Sequence, residues 1–399
     1  MTHLILFDND VREHLLPLTF LRPVGNLRIG ILTVAEKWSR RLDTPASFLT
    51  QDYLAPLFPL EYGDHNLLIN GSLLPTPELT ELVRNLIPGQ AVLHRGELLA
   101  ACLAESAMQA LLDDRDFPDL QGTELAATGI SRLRRPTDIF ILNEQEITAD
   151  FELLTAGRIS APLPATNLLI GPTDRLFIEP GVTIEGVTLN TTQGPIYLGR
   201  DVLVMEGCLL RGPLAAGEQS VFKMGAKVYG PTTLGPNCKV GGEINNVVFQ
   251  ANSNKGHEGY LGNSVIGEWC NLGADTNCSN LKNNYAEVRL WSYPEAEFVS
   301  TGLQFCGLIM GDHCKVGINT MFNTGTVVGV AANIFGAGFV RNFVPSFSWG
   351  GAGVLTTHRL DKALATAELV YGRRGKTLGP EEVAALTSVF ERTGESRVK

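Results

Sequence analysis

The stretch Met310-Gly-Asp-His-Cys-Lys-Val316-Gly-Ile-Asn-Thr-Met-Phe322-Asn-Thr-Gly-Thr-Val-Val328-Gly-Val-Ala-Ala-Asn-Ile334-Phe-Gly-Ala-Gly-Phe-Val340 carries an apolar residue at every sixth position. Gly311, Gly317, Gly329 and Gly336 accompany that series. The same step occurs earlier, in Ile178 and Ile184, in Leu198, Val204 and Leu210, in Leu234 and Val240, and in Ile266 and Leu272. A period of six fits neither the 3.6-residue turn of a helix nor a lone alternating strand. It is the hexapeptide period of a parallel β-helix. One aliphatic side chain per flat face points into a narrow triangular interior, and Gly, Asn or Asp take the corners that need positive φ. At three hexapeptides per coil, residues 171–345 make roughly nine or ten coils. A β-sandwich with glycine-rich turns is the alternative, and a register held over six steps speaks against it.

Glycine usage marks the same block. Of the 42 glycines, 27 fall in residues 171–350, against 9 in residues 1–170 and 6 in 351–399. The register breaks twice, at 245–260, which carries His257, and at 280–304, an insertion. Loops inserted at the corners of a solenoid gather on its binding face.

The two ends differ in texture. Before residue 160, short apolar runs (His3–Phe7, Asn66–Ile69, Gln90–Leu93, Glu97–Cys102) alternate with helical patterns near Ile31–Leu42, Glu78–Leu86 and Ala104–Leu112. That alternation predicts an α/β domain with a largely parallel sheet. Pro162-Leu-Pro-Ala165 reads as a linker. Asp361–Tyr371 and Pro380–Arg392 read as two helices that would cap the open end of the solenoid. The expected division is therefore 1–165, 166–350 and 351–399.

The net charge of -10 argues against nucleic acid or an anionic membrane as partner, because phosphate contacts need clustered Lys and Arg. It leaves room for a local basic pocket. The apolar run of the N-terminus breaks at Asp8, too early for a signal peptide. The seven Cys form no C-x-x-C pair, as expected of reduced thiols in a cytoplasmic protein.

Ser253-Asn-Lys255-Gly-His257-Glu-Gly-Tyr260-Leu-Gly-Asn263 concentrates an imidazole, an ammonium and a phenol. A His on a rigid loop can serve as a general base near neutral pH. Lys255 or Lys223 can hold a phosphate or carboxylate, and Asn245 and Asn280 can donate to an oxygen that becomes charged. Alternatively, His257 only satisfies backbone groups where the helix is interrupted. Three histidines at a subunit interface would suggest a β-helix metalloenzyme, but only His257 and His313 lie in the repeat block. His313 reads as a surface corner, Trp269-Cys270 and Trp349 as coil packing, and Arg132, Arg134 and Arg135 as a solvated turn. Arg373-Arg374 near the C-terminal helices could reach a coenzyme A phosphate.

The segment from Ser253 to Gly267, followed by Asn271-Leu-Gly-Ala274-Asp-Thr-Asn-Cys-Ser-Asn280, resembles the acetyltransferase half of the bifunctional UDP-N-acetylglucosamine pyrophosphorylase/glucosamine-1-phosphate N-acetyltransferase family. Asn280-Leu-Lys-Asn-Asn-Tyr285 and the stretch from Thr301 to Thr320 are closer to an archaeal-like branch, also seen in Bacteroidetes-type bacteria. The resemblance implies a left-handed β-helix and a homotrimer whose neighbouring subunits complete each site. It implies acetyl-CoA-dependent N-acetylation of an amino-sugar 1-phosphate, with glucosamine-1-phosphate as the expected acceptor. On the matching positions, His257 would take a proton from the sugar amine, Tyr260 would contact the sugar phosphate, and Asn280 would help place the acetyl group. The backbone of Ala274 would contact the thioester region, while Ile318 and Gly336 would line the coenzyme A groove. Lys223 stands for the family's phosphate-binding Arg, keeping charge but losing the bidentate fork. Asn245 stands for a family Lys and loses the charge.

Pro17-Leu-Thr-Phe-Leu-Arg22-Pro23 resembles the Pro-Leu-Thr-x-x-x-Pro-Lys of sugar-1-phosphate nucleotidylyltransferases, with Arg22 for the Lys. Their glycine-rich G-x-G-x-R loop cradles a triphosphate on backbone amides. Here Phe7-Asp-Asn-Asp-Val-Arg12 has no Gly, and Asn70-Gly71-Ser72 stands where the family has Asn-Gly-Asp. Arg12, Arg22, Asn70 and Gly71 are the candidate nucleotide-binding residues, with UTP as co-substrate and Mg²⁺ to bridge carboxylates and phosphates. Two readings stay open: an active uridylyltransferase giving UDP-N-acetylglucosamine, or a degenerate domain that binds a nucleotide sugar or serves structure only. The corresponding whole-chain alternative is a non-catalytic, regulatory nucleotide-sugar-binding protein.

Overall fold

The computed structural model describes residues 2–114, 119–125 and 130–397. Its contacts divide the chain into two compact units, and the main cut falls between Arg135 and Pro136.

The first unit comprises Met1–Leu15, Arg22–Leu27 and Leu32–Arg135. Its strands are β1 (Thr2–Phe7), β2 (Ala46–Leu49), β3 (His65–Asn70), β4 (Gln90–His94), β5 (Glu97–Ala104) and β6 (Gln121–Glu124), in the order β2-β1-β3-β5-β4-β6. Its helices are α1 (Val11–His14), α2 (Val34–Leu42), α3 (Pro77–Arg84) and α4 (Glu105–Asp114). Ile5, Phe7, Leu68 and Leu103 from the strands meet Met108 and Leu111 of α4 in one apolar cluster. Helix α2 opens on a capping box. Thr33 accepts from the Glu36 amide, and the Glu36 carboxylate accepts from the Thr33 amide, satisfying two otherwise orphaned donors. The sheet is largely parallel, as expected, with one reversed strand. Strands β2, β1 and β3 run parallel, as do β4 and β6, but β5 runs antiparallel to both neighbours. The cause is the two-residue connection Arg95-Gly96, both at positive φ, which makes β4 and β5 a tight hairpin.

The second unit comprises Leu16–Leu21, Arg28–Ile31 and Pro136–Lys399. It begins with two helices absent from the sequence reading, α5 (Pro136–Ile141) and α6 (Asn143–Thr155). A parallel β-helix follows. One face is built by Thr183–Ile184, Leu203–Val204, Val221–Phe222, Lys239–Val240, Asn254–Lys255, Asn271–Leu272, Lys315–Val316, Asn333–Ile334 and Ser348–Gly350, all parallel neighbours. These nine rungs match the coil count read from the hexapeptide step. Every residue of that step, from Ile178 to Val340, is buried in one continuous core cluster. The corner before this face is held at positive φ by Asp201, Gln219, Asn237, Asn252, Trp269, His313, Ala331 and Phe347. Five of these are not the expected Gly, Asn or Asp. Trp269 and Phe347 turn their rings onto later elements there.

The insertion folds as an antiparallel hairpin, Arg289–Ser292 with Glu297–Ser300, and Trp291 stacks on Phe343 at 4.3 Å between ring centroids. Beyond the last rung, Leu355–Thr357 pairs antiparallel with Ser348–Gly350 and covers the sheet edge. Helices α7 (Leu360–Gly372) and α8 (Pro380–Arg392) do not form an end cap. They lie along the corner column instead. Tyr371 stacks on Trp269 at 4.1 Å, and Phe390 meets Phe347 edge-on at 5.0 Å. The reason is the stripe of Ala363, Ala367 and Tyr371, two small residues and one ring spaced about one turn apart, which is the buried side of α7.

Candidate active site

The loop between Asn254–Lys255 and Tyr260–Ile266 is the first break in the register. Gly259 has φ +114°, and a Cβ there would run into the carbonyl oxygen of Thr276, so the close approach of the next rung requires glycine. The Glu258 carbonyl accepts from the Asp275 amide at 2.9 Å, and the Tyr260 amide donates to Asn277 Oδ1 at 2.8 Å. The loop is thereby strapped to the rung above it.

Lys255 is fully buried. Its Nζ donates to the carbonyls of His257 at 2.7 Å and Glu258 at 3.0 Å. Burial pushes its pKa down to about 8. This corrects the expectation that Lys255 holds a substrate anion. It faces the interior of the coil, where it satisfies the His257 carbonyl and adds a second donor to the Glu258 carbonyl already bonded by Asp275. With Lys255 beneath the loop, His257 and Glu258 are exposed.

The register sets His257 in a column. Asn254 pairs with Asn271, Asn271 with Lys315 and Lys315 with Asn333. Three residues on, His257, Ala274, Ile318 and Gly336 therefore occupy one corner on four successive rungs. The Ala274 carbonyl accepts from the Asn319 amide at 2.8 Å, and Ile318 and Gly336 are exposed. Lys223 belongs to the adjacent column with Gly241 and Gly256. A Cβ at Gly256 would stand 3.9 Å from Lys223 Cγ, so the lysine stem runs past these glycines toward the His257 loop.

Tyr260, Asn245 and Asn280 converge. Asn280 Nδ2 donates to Tyr260 Oη at 2.9 Å and to Asn263 Oδ1 at 2.7 Å. The Tyr260 hydroxyl also hydrogen-bonds to the Asn245 side chain, and burial raises its pKa against the pull of these amides. The group is a set of fixed amides and a phenol, with Glu243, the register partner of Tyr260, close enough to raise the phenol's pKa further. Sequence reasoning did not single out Asn263 and Asn277. Both lie in the quoted motif segments, at positions where Asn would bond a neighbouring rung.

In the first unit the candidate residues serve the fold. Asp8 is buried; Oδ1 accepts from the Val24 amide at 2.8 Å and Oδ2 from Thr50 Oγ1 at 2.6 Å, with Arg12 Nε at 3.6 Å. Burial raises its pKa despite these partners. Arg12 is buried too, its Nη2 donating to Tyr53 Oη at 2.7 Å. Asn70 Oδ1 accepts from the amide and hydroxyl of Ser72 at 3.0 and 2.7 Å. A Cβ at Gly71 would stand 3.0 Å from the Gly25 amide, and the Gly71 amide itself donates to Phe7 O at 2.8 Å. Arg22 is buried. The nucleotide-binding assignment of Arg12, Asn70 and Gly71 is thus corrected, because their polar groups are committed to the loop itself. Arg132 is no solvated turn either: it makes a two-pronged ion pair with Glu97, both contacts at 2.7 Å, which holds Glu97 below the usual carboxylate range. The donor set does not suit Mg²⁺. Both Asp8 oxygens are taken, and among the described residues no group of three or more His, Cys, Asp or Glu is arranged to hold a metal.

All seven cysteines are free and buried, and among the described residues no helix is long and apolar enough to cross a membrane.

Residues 4–159 match the model of a family described as sugar nucleotidyl transferase. The chain is 31% identical over 102 residues to the bifunctional sugar-1-phosphate nucleotidylyltransferase/acetyltransferase of Sulfurisphaera tokodaii, covering 26% of this chain and 25% of that one. It is 32% identical over 133 residues to the bifunctional protein GlmU of Methanococcus aeolicus, with 33% and 28% covered. To the GlmU of Rhodococcus jostii it is 31% identical over 178 residues, with 42% and 31% covered. The matches span between a quarter and a third of the length of these relatives. The family match thus lies on the N-terminal part of the chain, and the chain is similar over part of its length to proteins named as bifunctional nucleotidylyltransferases and acetyltransferases.

Proposed function

We propose that the β-helix unit transfers an acetyl group from acetyl-CoA to the amine of an amino-sugar 1-phosphate, with glucosamine-1-phosphate as the acceptor. The observation that carries this reading is the single corner column of His257, Ala274, Ile318 and Gly336, with the amide-and-phenol cluster of Tyr260, Asn245 and Asn280 on the strands beside it. His257 takes the proton as the amine nitrogen attacks the thioester carbonyl; the C–S bond breaks and coenzyme A leaves with a proton. Asn280 and Tyr260 orient the acceptor, Lys223 meets its phosphate, and the column beyond His257 lines the coenzyme A groove. In a homotrimer, neighbouring subunits complete each site.

For the first unit the proposed coupled reaction is uridylyl transfer from UTP, giving UDP-N-acetylglucosamine, with no metal site assigned to it. A second reading, in which this unit binds a nucleotide sugar without chemistry, is favoured by the inward commitment of Asp8, Arg12 and Asn70. Two assays decide. Thiol release from acetyl-CoA with glucosamine-1-phosphate is expected for the parent and lost by a factor of about 100 or more in His257→Ala, at unchanged thermal stability. Equal turnover in the variant removes His257 from the mechanism. Pyrophosphate release from UTP and N-acetylglucosamine-1-phosphate, at or above background, separates the two readings of the first unit.

A further inference from the structure

Four cations meet on the solenoid face that precedes the His257 loop. Lys239 pairs in register with Asn254, and Val221, two residues before Lys223, is its neighbour on the other side. The turn after α7 reaches the same strands: Arg374 Nη2 donates to Asn254 Oδ1 at 3.1 Å. The stack of Tyr371 on Trp269 fixes that turn, and Lys376 Nζ stands 5.4 Å over the Trp269 ring. Lys239 and Arg373 are exposed, and Lys223 and Arg374 are half-buried. Among the described residues no ion pair engages any of these four. Arg374, Lys223 and Arg373 each depress the Lys239 pKa, next to the effect of burial, so all three lie within electrostatic reach of one ammonium. In a chain of net charge -10, such an uncompensated group costs free energy unless an anion joins it.

We propose that Lys223, Lys239, Arg373 and Arg374 form a phosphate subsite, so that the C-terminal segment completes the substrate site from within the same chain. The inference rests on the acetyl-transfer reading only for its location: Asn254 and His257 are three residues apart, at most about 11 Å along the backbone. A phosphate monoester dianion fits the cluster, since two guanidinium forks and two ammonium groups offer both bidentate and point-charge contacts. That dianion is carried by an amino-sugar 1-phosphate and by the 3′-phosphate of coenzyme A.

The test is calorimetric binding to the full chain, parent against Lys239→Ala/Arg373→Ala, two surface changes that leave the Arg374–Asn254 bond in place. The probes are glucosamine-1-phosphate against glucosamine, and coenzyme A against dephospho-coenzyme A. At least a tenfold weakening confined to glucosamine-1-phosphate supports the subsite and identifies the sugar phosphate; one confined to coenzyme A supports it and identifies the 3′-phosphate. Unchanged affinity for both phosphorylated probes overturns it. Because binding is read without turnover, this outcome stands apart from a failure of His257→Ala to abolish acetyl transfer.

Discussion

Two loops in this chain carry ionisable residues in segments that resemble known motifs, and they are built in opposite ways. In the loop after β1, the Asp8 and Arg12 side chains are buried against each other, and both carboxylate oxygens of Asp8 are taken by Val24, Thr50 or Arg12. In the loop before Tyr260, the buried ion is Lys255, two residues ahead of the motif histidine, and its ammonium holds up the backbone that carries His257 outward. The first loop spends its charged side chains on its own conformation. The second spends one and leaves the next exposed. A residue in a motif position serves chemistry only where the fold is supported by something else.

Asp8→Ala probes the first loop and should have the largest effect. It removes the acceptor for Val24 and Thr50 and takes a buried carboxylate from beside the Arg12 guanidinium, which keeps the exposed Glu13 at 3.4 Å. Loss of one partner of a buried pair costs about 3–5 kcal/mol. A urea titration followed by tryptophan fluorescence should show a clearly lower midpoint. A variant as stable as the parent would mean that the loop is not held by Asp8 and has its carboxylate to spare for a ligand.

The comparison also shows what the sequence could reveal. The six-residue step was legible because a narrow interior admits one side chain per face, and from Ile178 to Val340 each of its residues is in the core. The meeting of Tyr260, Asn245 and Asn280 was anticipated through the family motif rather than from spacing. What stayed hidden depends on partners far apart in sequence. Arg132 finds Glu97, Asp8 finds Thr50, and Arg374 finds Asn254, none of which a local pattern announces. The one reversed strand of the first sheet is different: Arg95-Gly96 is a local hairpin signal, outweighed by the helix–strand alternation that correctly announced the parallel strands. Lys255 was misread because a solenoid interior is ordinarily apolar, and only the break in register creates carbonyls for an ammonium to meet.

Lys255 sharpens the second half of the comparison through pH. Its folded pKa, about 8, lies below the ordinary 10.5, so the unfolded chain binds the extra proton between these values. Stability therefore rises as pH passes from 8 toward 10.5, and the full cost of the buried charge is present below 8. Lys255→Met removes this linkage. Between pH 7.5 and 9.5 the parent should gain about 2 kcal/mol relative to the variant, read from paired urea midpoints. A constant difference across that range would place the ammonium in solvent and detach it from the His257 and Glu258 carbonyls. The pairing of parent and variant matters, because buried tyrosines and cysteines titrate in both.

The smallest effect expected is at Asn280, and it separates orientation from support. Its amide donates to Tyr260 Oη and Asn263 Oδ1, so Asn280→Ala frees the phenol to rotate while Lys255 still holds the loop. Removing one well-aligned neutral hydrogen bond is worth about 1 kcal/mol, which predicts a five- to tenfold fall in kcat/KM for acetyl transfer. The fall should reside in the acceptor's KM and in kcat, with the KM for acetyl-CoA unchanged, because Ala274, Ile318 and Gly336 stand on later rungs of the neighbouring corner. A loss borne instead by acetyl-CoA would assign Asn280 to the thioester side. A large drop in unfolding midpoint with intact kinetics would make the Tyr260–Asn280 pair a fastening of the insertion, as inward-serving as Asp8.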